Sequence, residues 1–311
     1  MDAPALLVCP SCRVPLSAEG DALACPSCAA RYPVEHGIAD FSGGRYYDGF
    51  VPGQELSAAH REGLSRENEG ARSRIADFYL PLFERSVSGR RVLDCGCGNG
   101  MSVDLLNAAG WEAWGNDLSA LRKWQWRERD RRDRLIVADG GRLPFASGSF
   151  DAVVSSGVLE HIGVGEVGGE EYRVWPLPDR DAARRAFVAE LLRVVAPGGR
   201  LFLDFPNGAF PIDFWHGTRP GGARFHPRDE GFLPTVSEVR ELLVSIDPDL
   251  ALTPLSPRGR LQFRQAGGHW YGRALKSPMS LAFRLMTVPG LRFLAGTPLN
   301  PFLVLEIRRA D

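Results

Sequence analysis

The chain has 311 residues, 44% apolar and 24% charged, with 37 basic and 38 acidic side chains and a net charge of −1. That is enough apolar material for one large folded domain and a small one, and it excludes a low-complexity chain. The near-neutral charge speaks against a dedicated nucleic-acid binder, and no window reaches the ~18 apolar residues needed to span a bilayer.

The start, MDAPALLVCPSC, has neither a basic cluster nor a long apolar run. No signal peptide is expected, and the chain reads as cytoplasmic. In that compartment six cysteines point to metal ligands or free thiols rather than disulfides. Cys9-Pro10-Ser11-Cys12 and Cys25-Pro26-Ser27-Cys28 are two Cys-x-x-Cys knuckles, with twelve residues between Cys12 and Cys25. Each knuckle turns two sulfurs toward one point, so Cys9, Cys12, Cys25 and Cys28 predict a tetrahedral Zn²⁺ site with sulfurs at about 2.3 Å. So short a segment cannot bury a core, and the metal is expected to hold it together. The competing reading is a reduced or redox-active pair.

The knuckles and the Tyr32-Pro33-Val34…Gly37-Ile38 tail resemble the small zinc-ribbon protein that activates tRNA and protein methyltransferases. The resemblance covers residues 1–40, here continuous with a longer chain. Residues 41–89 are expected to hold a linker and a covering helix. Residues 42–54 (SGGRYYDGFVPGQ) read as the linker. Over 56–86, Ile75, Phe78, Tyr79, Leu82 and Phe83 recur at helical spacing and give one apolar face.

From residue 90 strands and helices alternate. The expected strands are Arg91–Cys95, Glu112–Asn116, Leu135–Ala138, Ala152–Ser155 and Arg200–Phe205, with the clearest helix at Asp179–Val195. The pattern predicts a doubly wound parallel sheet. Residues 207–234 hold too much Gly and Pro for a helix and form a long substrate-side loop. Helix Thr235–Ser245 follows, then a partly helical apolar stretch at 276–295 and a closing strand, Phe302–Ile307.

Within this frame, Val92-Leu93-Asp94-Cys95-Gly96-Cys97-Gly98-Asn99-Gly100 is a strand running into a tight glycine loop that opens a helix. Glycine allows positive φ and lets a ligand lie on bare backbone, and the helix start offers free N–H groups. The Gly-x-Gly-x-Gly spacing differs from the Gly-x-Gly-x-x-Gly of dinucleotide dehydrogenases. It resembles motif I of the class I S-adenosylmethionine-dependent methyltransferases. Further matches are Asp117 at the end of the second strand, Val137-Ala138-Asp139-Gly140 at the third, Ser155-Ser156-Gly157-Val158-Leu159-Glu160-His161 after the fourth, and Ala196-Pro197-Gly198-Gly199 before the fifth. Over roughly residues 75–206 the chain is similar to the ubiquinone- and menaquinone-type small-molecule methyltransferases.

The resemblance implies a Rossmann-like, seven-stranded, mostly parallel α/β sheet over 90–311 with an antiparallel last strand. It implies S-adenosyl-L-methionine as methyl donor. The cofactor-binding residues it points to are Asp94, Gly96, Cys97, Gly98, Gly100, Asp117, Leu118, Asp139, Gly140, Ser156 and Gly157. Asp117 would accept both ribose hydroxyls and Asp139 the adenine amino group; a helix cap is the bland alternative for Asp117. Cys95 and Cys97 occupy variable loop positions.

Methyl transfer to oxygen generally needs a base within hydrogen-bond reach. The candidates are His161, just past strand four, and Asp213 with His216, which three-residue spacing would bring together on one helical turn. Phe210, Phe214 and Trp215 would form an aromatic wall, with His226 a weaker candidate in the same loop. Leu121–Arg134 is basic with two tryptophans and reads as a solvated helix face, with RNA contact the alternative. Leu281–Leu294 reads as a covering helix pair, with a lipid contact the alternative.

The leading expectation is O-methylation of a small molecule, glycan or lipid-linked metabolite. An RNA base methyltransferase is the runner-up, since some rRNA guanine enzymes also carry an N-terminal zinc module. Their zinc set includes a histidine, however, and no Asn/Asp-Pro-Pro-Tyr/Phe motif follows strand four here. A non-catalytic scaffold with a partner-binding ribbon is the third reading, opposed by the intact Asp94, Gly96, Gly98, Gly100, Asp117 and Asp139.

Overall fold

The computed structural model describes residues 6–51, 58–167, 172–216, 223–227, 229–261 and 270–309. In the first half the strands are β1 (Ser17–Glu19), β2 (Ala22–Ala24), β3 (Arg31–Glu35), β4 (Ile38–Asp40), β5 (Arg91–Cys95), β6 (Glu112–Asp117), β7 (Leu135–Val137) and β8 (Phe150–Ser156). The helices there are α1 (Ala58–Ser73), α2 (Leu80–Ser86), α3 (Met101–Ala108) and α4 (Ala120–Gln125). Then come β9 (Val164–Val167), β10 (Arg173–Pro176), α5 (Arg180–Val194), β11 (Val195–Pro206), β12 (Ile212–Asp213), β13 (Arg224–Phe225), α6 (Val236–Ile246), β14 (Ala251–Leu255), α7 (Trp270–Leu285) and β15 (Phe302–Arg308).

The chain forms two compact units, Met1–Val154 with Ala189–Leu201, and Ser155–Val188 with Phe202–Ala310. Strands β8 and β11 belong partly to each. In the first unit the strand order is β1-β2-β3-β4-β7-β6-β5-β8, followed by the start of β11. In the second, the end of β11 lies beside β15 and then β14. Strands β5, β6 and β7 pair in parallel, as the βαβ alternation requires. The last strand, β15, is antiparallel to β14. These seven strands, β5–β8, β11, β14 and β15, make up the expected mixed α/β sheet.

The ribbon strands extend the first unit's sheet. β4 pairs in parallel with β7, Ala39 opposite Ile136 and Asp40 opposite Val137. Farther along, Val8 N–H donates to the Pro144 carbonyl at 3.0 Å and Ala146 N–H to that of Leu6 at 3.0 Å. Arg142 Nη2 reaches Ser11 Oγ at 2.8 Å, and Arg13 Nη1 reaches the Leu143 carbonyl at 2.7 Å. Both ends of the ribbon segment are therefore bonded to the strand-and-loop stretch that carries Asp139. The linker expectation for 42–54 gives way over its described part. Ser42 and Tyr46 hydroxyls donate to Asp40 at 2.6 and 2.7 Å, and Tyr47 N–H to the Leu118 carbonyl at 3.1 Å. Residues 52–57 lie outside the described residues.

Helix α1 passes into a π-helical turn at Arg74–Tyr79 before α2. All five residues of the expected apolar face are buried: Ile75, Phe78, Tyr79, Leu82 and Phe83. The long helix expected after Asp117 is α4 alone, followed by 3-10 turns at Trp126–Glu128 and Arg132–Arg134. Its N-cap is Ser119, whose hydroxyl accepts the Arg122 N–H at 3.0 Å, so Asp117 is free of the capping role. Trp126 is fully buried, and its Nε1–H donates to the Gly98 carbonyl at 2.8 Å. Five of the seven basic residues of this stretch find carboxylates, Arg122 with Glu67, Lys123 with Asp40 and Glu35, Arg129 with Asp104, Arg131 with Asp133, and Arg134 with Glu112, while Arg127 and Arg132 are exposed. It is an ion-paired face, where a merely solvated one was expected.

In the second unit α6 begins with a capping box, Thr235 and Glu238 bonding each other's backbone N–H. The expected apolar stretch at 276–295 is α7 and a 3-10 segment, Pro289–Gly296, packed around Phe283, Met286 and Ala295. Leu281 and Phe293 stay exposed on it.

Candidate active site

The glycine loop after β5 has the backbone its sequence demands. Gly96, Gly98 and Gly100 hold φ of 80°, 55° and 77°, the left-handed region in which a side chain is strained. Asp94 ends the strand, 2% exposed. Its Oδ2 accepts from Ser102 Oγ at the start of α3 and from Arg74 Nη2 at 3.0 Å, which the π turn delivers there. Its Oδ1 is buried with no partner among the described residues. The Cys97 side chain is turned toward β6, since a Cβ on Gly115 would lie 2.8 Å from its sulfur. Only the backbone of Cys97 is left to meet a ligand. Burial pushes both the Cys95 and Cys97 thiols up, so they stay protonated and unreactive.

Asp117 ends β6 with its side chain over this loop. Oδ2 accepts the Gly98 N–H at 3.0 Å. Burial lifts the carboxyl to about 6, although Arg122 and the Gly98 N–H pull the other way. Leu118, the next residue, is half-buried. Glu67 of α1 lies on the loop as well, because a Cβ on Gly98 would come within 2.8 Å of its Oε1. Asp139 is exposed; its Oδ1 accepts the Gly141 N–H at 2.8 Å, an Asx turn that fixes Gly140 between them. Tyr47, not singled out in the sequence, also acts on the Asp117 carboxyl and lowers it. Its only sequence signal is an aromatic residue in a glycine-rich stretch.

In the second unit Ser156 and Gly157 open the turn after β8. Ser156 Oγ donates to Asp204 Oδ1 at 2.6 Å and accepts from Arg260 Nη2 at 2.8 Å, while Gly157 N–H donates to the Asp204 carbonyl. Both candidates are thus tied to Asp204 and Arg260, which sequence reasoning missed.

The three candidate catalytic residues do come together. The His161 and His216 rings lie 5.2 Å apart, edge to face. Each is held by a carboxylate: His161 Nδ1 donates to Glu166 at 3.1 Å and His216 Nδ1 to Asp213 Oδ2 at 3.0 Å. A carboxylate can only accept, so in the neutral ring Nδ1 carries the proton and Nε2 keeps its lone pair. Asp213, fully buried, also accepts the Trp215 and His216 backbone N–H groups and Arg224 Nε. The expected helical turn at Asp213–His216 is therefore an Asx turn next to the short β12–β13 pair, because the aspartate competes for the backbone donors a helix would use. Burial would raise Asp213, but His216 and Arg224 win and hold it at about 2. Glu166 is held at about 2 by the His161 bond, against burial. Burial would lower His161, but Glu166 and Glu160 outweigh it and its pKa is raised.

The aromatic wall beside these rings is not the expected one. Phe232 lies 5.4 Å from His161 and 4.7 Å from His216, and Tyr172 stacks on His216 at 5.8 Å. Phe210, Phe214 and Trp215 pack on one another and, through Trp215, on Phe302. His226 donates to the Phe210 carbonyl at 2.7 Å and holds the loop. A cavity of about 480 Å³ is lined by Tyr172, Arg173, Trp175 and Glu230, among others. Glu160, missed as a site residue, is 1% exposed, and burial raises its carboxyl. Its neighbour Arg184 braces the turn, donating to the Glu160 and Phe232 carbonyls at 3.1 and 2.6 Å.

The four ribbon cysteines offer sulfurs that all lie within 4.8 Å of one another. The two knuckles repeat one geometry. Cys12 N–H points to Cys9 Sγ and Cys28 N–H to Cys25 Sγ, each at 3.5 Å. The next residues, Arg13 and Ala29, hold φ of 60° and 58° and donate to the Cys9 and Cys25 carbonyls. Neither is glycine, so each knuckle keeps a strained residue that something must hold in place.

The fold is a Rossmann-like α/β core with a four-cysteine ribbon, and known methyltransferases are similar to it. Residues 93–203 match the family described as a methyltransferase domain. It is 31% identical over 181 residues to a Mycolicibacterium smegmatis protein named as a probable S-adenosylmethionine-dependent methyltransferase, covering 58% of this chain and 60% of that one. It is 33% identical over 113 residues to the demethylmenaquinone methyltransferase of Beutenbergia cavernae, covering 36% and 39%. The chain spans 53–60% of the length of the first curated relatives it matches. Among solved structures, the complex between the Haloferax volcanii Trm112 methyltransferase activator and a methyltransferase aligns with a TM-score of 0.50 at 16% identity, over 83% of this chain and 100% of that one. That likeness concerns the fold. No described helix is long and apolar enough to cross a membrane.

Proposed function

We propose that the protein is an S-adenosylmethionine-dependent methyltransferase that methylates a small molecule at oxygen, and that its ribbon binds one structural Zn²⁺. The carrying observation is the pair of histidines after β8 and β11, each with Nδ1 held by a carboxylate and with no partner for Nε2 among the described residues, in a chain that matches a methyltransferase domain. The glycine loop fits the cofactor: three positive-φ glycines leave bare backbone, and Asp117 presents a buried carboxylate at the neighbouring strand end. Asp117 would receive the ribose hydroxyls, Asp139 the adenine amino group, and the Gly96–Gly100 backbone the methionine end. The bound cofactor supplies an electrophilic methyl group.

The protein's own part is positioning and proton transfer. Glu166 and Asp213 fix the tautomer and orientation of the two rings, so that Nε2 faces the acceptor hydroxyl as the proton leaves it. Phe232 and Tyr172 shape a place for a flat or apolar acceptor. Five of the seven cations of the α4 stretch are paired with carboxylates, which breaks up the basic stripe an RNA backbone would need. The four thiolates, with two N–H···S contacts, fit Zn²⁺.

The test is isothermal titration with S-adenosylmethionine, on protein of measured zinc content, with and without bulk RNA. Micromolar binding that RNA leaves unchanged supports the reading. Binding or methyl incorporation that depends on RNA moves the acceptor to nucleic acid, and no cofactor binding overturns the reading.

A further inference from the structure

The histidine cluster contains a group that acceptor binding alone does not explain. Glu160 sits at the turn after β8 with its carboxylate buried, and its Oε2 has no hydrogen-bond partner among the described residues. A buried carboxylate oxygen without a donor or cation is costly, and native structures satisfy such groups almost without exception. One oxygen of Glu160, one nitrogen of His161 and one nitrogen of His216 all lie within 4.8 Å of one another. That spacing suits three ligands around one centre at about 2.0–2.2 Å from each.

The outer groups complete the pattern. A metal-binding histidine almost always donates its other ring N–H to a carboxylate, which fixes the tautomer and strengthens the ligand nitrogen. Here both do so, His161 to Glu166 and His216 to Asp213. Those carboxylates are themselves held, Glu166 by the Tyr172 hydroxyl and Asp213 by Arg224 and two backbone N–H groups. Two imidazoles and one carboxylate, with no sulfur, form a set that prefers a first-row divalent ion and leaves coordination positions open.

We propose that Glu160, His161 and His216 bind a first-row divalent metal ion with open coordination positions. The site concerns the same cluster and rests on the acceptor reading only for its purpose: with both Nε2 atoms on the ion, an acceptor hydroxyl at an open position would have its pKa lowered by the ion's charge and would release its proton to water, in place of direct transfer to imidazole. The binding itself does not depend on that reading.

The experiment uses Co²⁺ on the full chain with its zinc content measured beforehand. A Co²⁺ ion held by thiolates shows an intense sulfur-to-metal charge-transfer band, which a nitrogen and oxygen set lacks, so the ribbon and the cluster are told apart. The expected result is one Co²⁺ equivalent bound without the thiolate band. Glu160→Gln and His161→Gln should each weaken it at least tenfold, and Asp213→Asn, acting through His216, by 10- to 100-fold. Circular dichroism checks that each variant folds, and any one folded ligand variant suffices. Binding with the thiolate band only, no equivalent bound, or affinity unchanged in a folded Glu160→Gln or His161→Gln protein overturns the proposal. S-adenosylmethionine titration on the same samples separates the two readings: intact cofactor binding without Co²⁺ binding defeats only the metal site, and the reverse defeats only the cofactor reading.

Discussion

The glycine loop after β5 and the histidine cluster after β8 and β11 are built by different means. The loop is local. Nine consecutive residues set its backbone, and the carboxylate bonded to it, Asp117, arrives because β6 pairs in parallel with β5. The cluster draws Glu160, His161, Glu166, Asp213, His216 and Phe232 from separate turns and joins them by hydrogen bonds and ring contacts. A site of the first kind tolerates change outside its loop. A site of the second kind fails when any one support is removed.

The largest effect should come from the ribbon. Structural Zn²⁺ contributes on the order of 10 kcal/mol or more to a fold this small. Cys12→Ser, or chelation, should unfold residues 6–40, read by loss of protection in amide hydrogen exchange. Because Ser11 and Arg13 bond to Arg142 and Leu143, the loop after Asp139 should lose protection with it. A ribbon that unfolds while 139–146 stays protected would show those contacts to be passive.

Next is His216→Ala, which should lower turnover about 10²- to 10⁴-fold, the range for a lost proton acceptor, with cofactor affinity unchanged. A parallel loss of cofactor affinity would show that cluster and loop do not act separately. Gly98→Ala should do the opposite. It forces a side chain into φ of 55° and against Glu67, costing about 1–2 kcal/mol and appearing chiefly as weaker cofactor binding.

The contrast between local and distributed construction also decides what was legible in the sequence. Asp94, the three glycines and the strand ends could be read because motif and period lie within one short window. The four cysteines could be read because knuckle spacing is itself the geometry. Asp213 and His216 were paired correctly but given a helical turn, since spacing alone cannot separate a helix from an Asx turn. Glu166, Tyr172, Phe232 and Arg184 carried no signal at all. Their roles exist only once separate turns are packed together, and no periodicity encodes that. The attachment of β4 to β7 was hidden for the same reason, since parallel pairing leaves no mark on a three-residue strand.

The smallest effect is the most discriminating, because it sets stability against binding at one side chain. Burial holds the Asp117 carboxyl at about 6 in the folded chain, above its ordinary 3.8. The proton is therefore bound more tightly in the folded state than in the unfolded one. Stability from this group is full below about pH 4 and is lost as pH rises toward 6. Ribose hydroxyls donate to the ionised form, so cofactor affinity should run the other way, flat above about pH 6 and falling by up to tenfold per unit below it. Asp117→Asn removes the charge that burial penalises. It should raise the melting temperature of the cofactor-free protein near neutral pH while weakening S-adenosylmethionine about 10- to 100-fold, the cost of losing hydrogen bonds to a charged acceptor. Thermal scans and titrations on the same sample read both signs at once. A variant that melts lower and binds less would mean Asp117 is a structural support of the Gly98 turn. Opposite signs would mark a carboxylate kept at a cost to the fold because the ligand needs it.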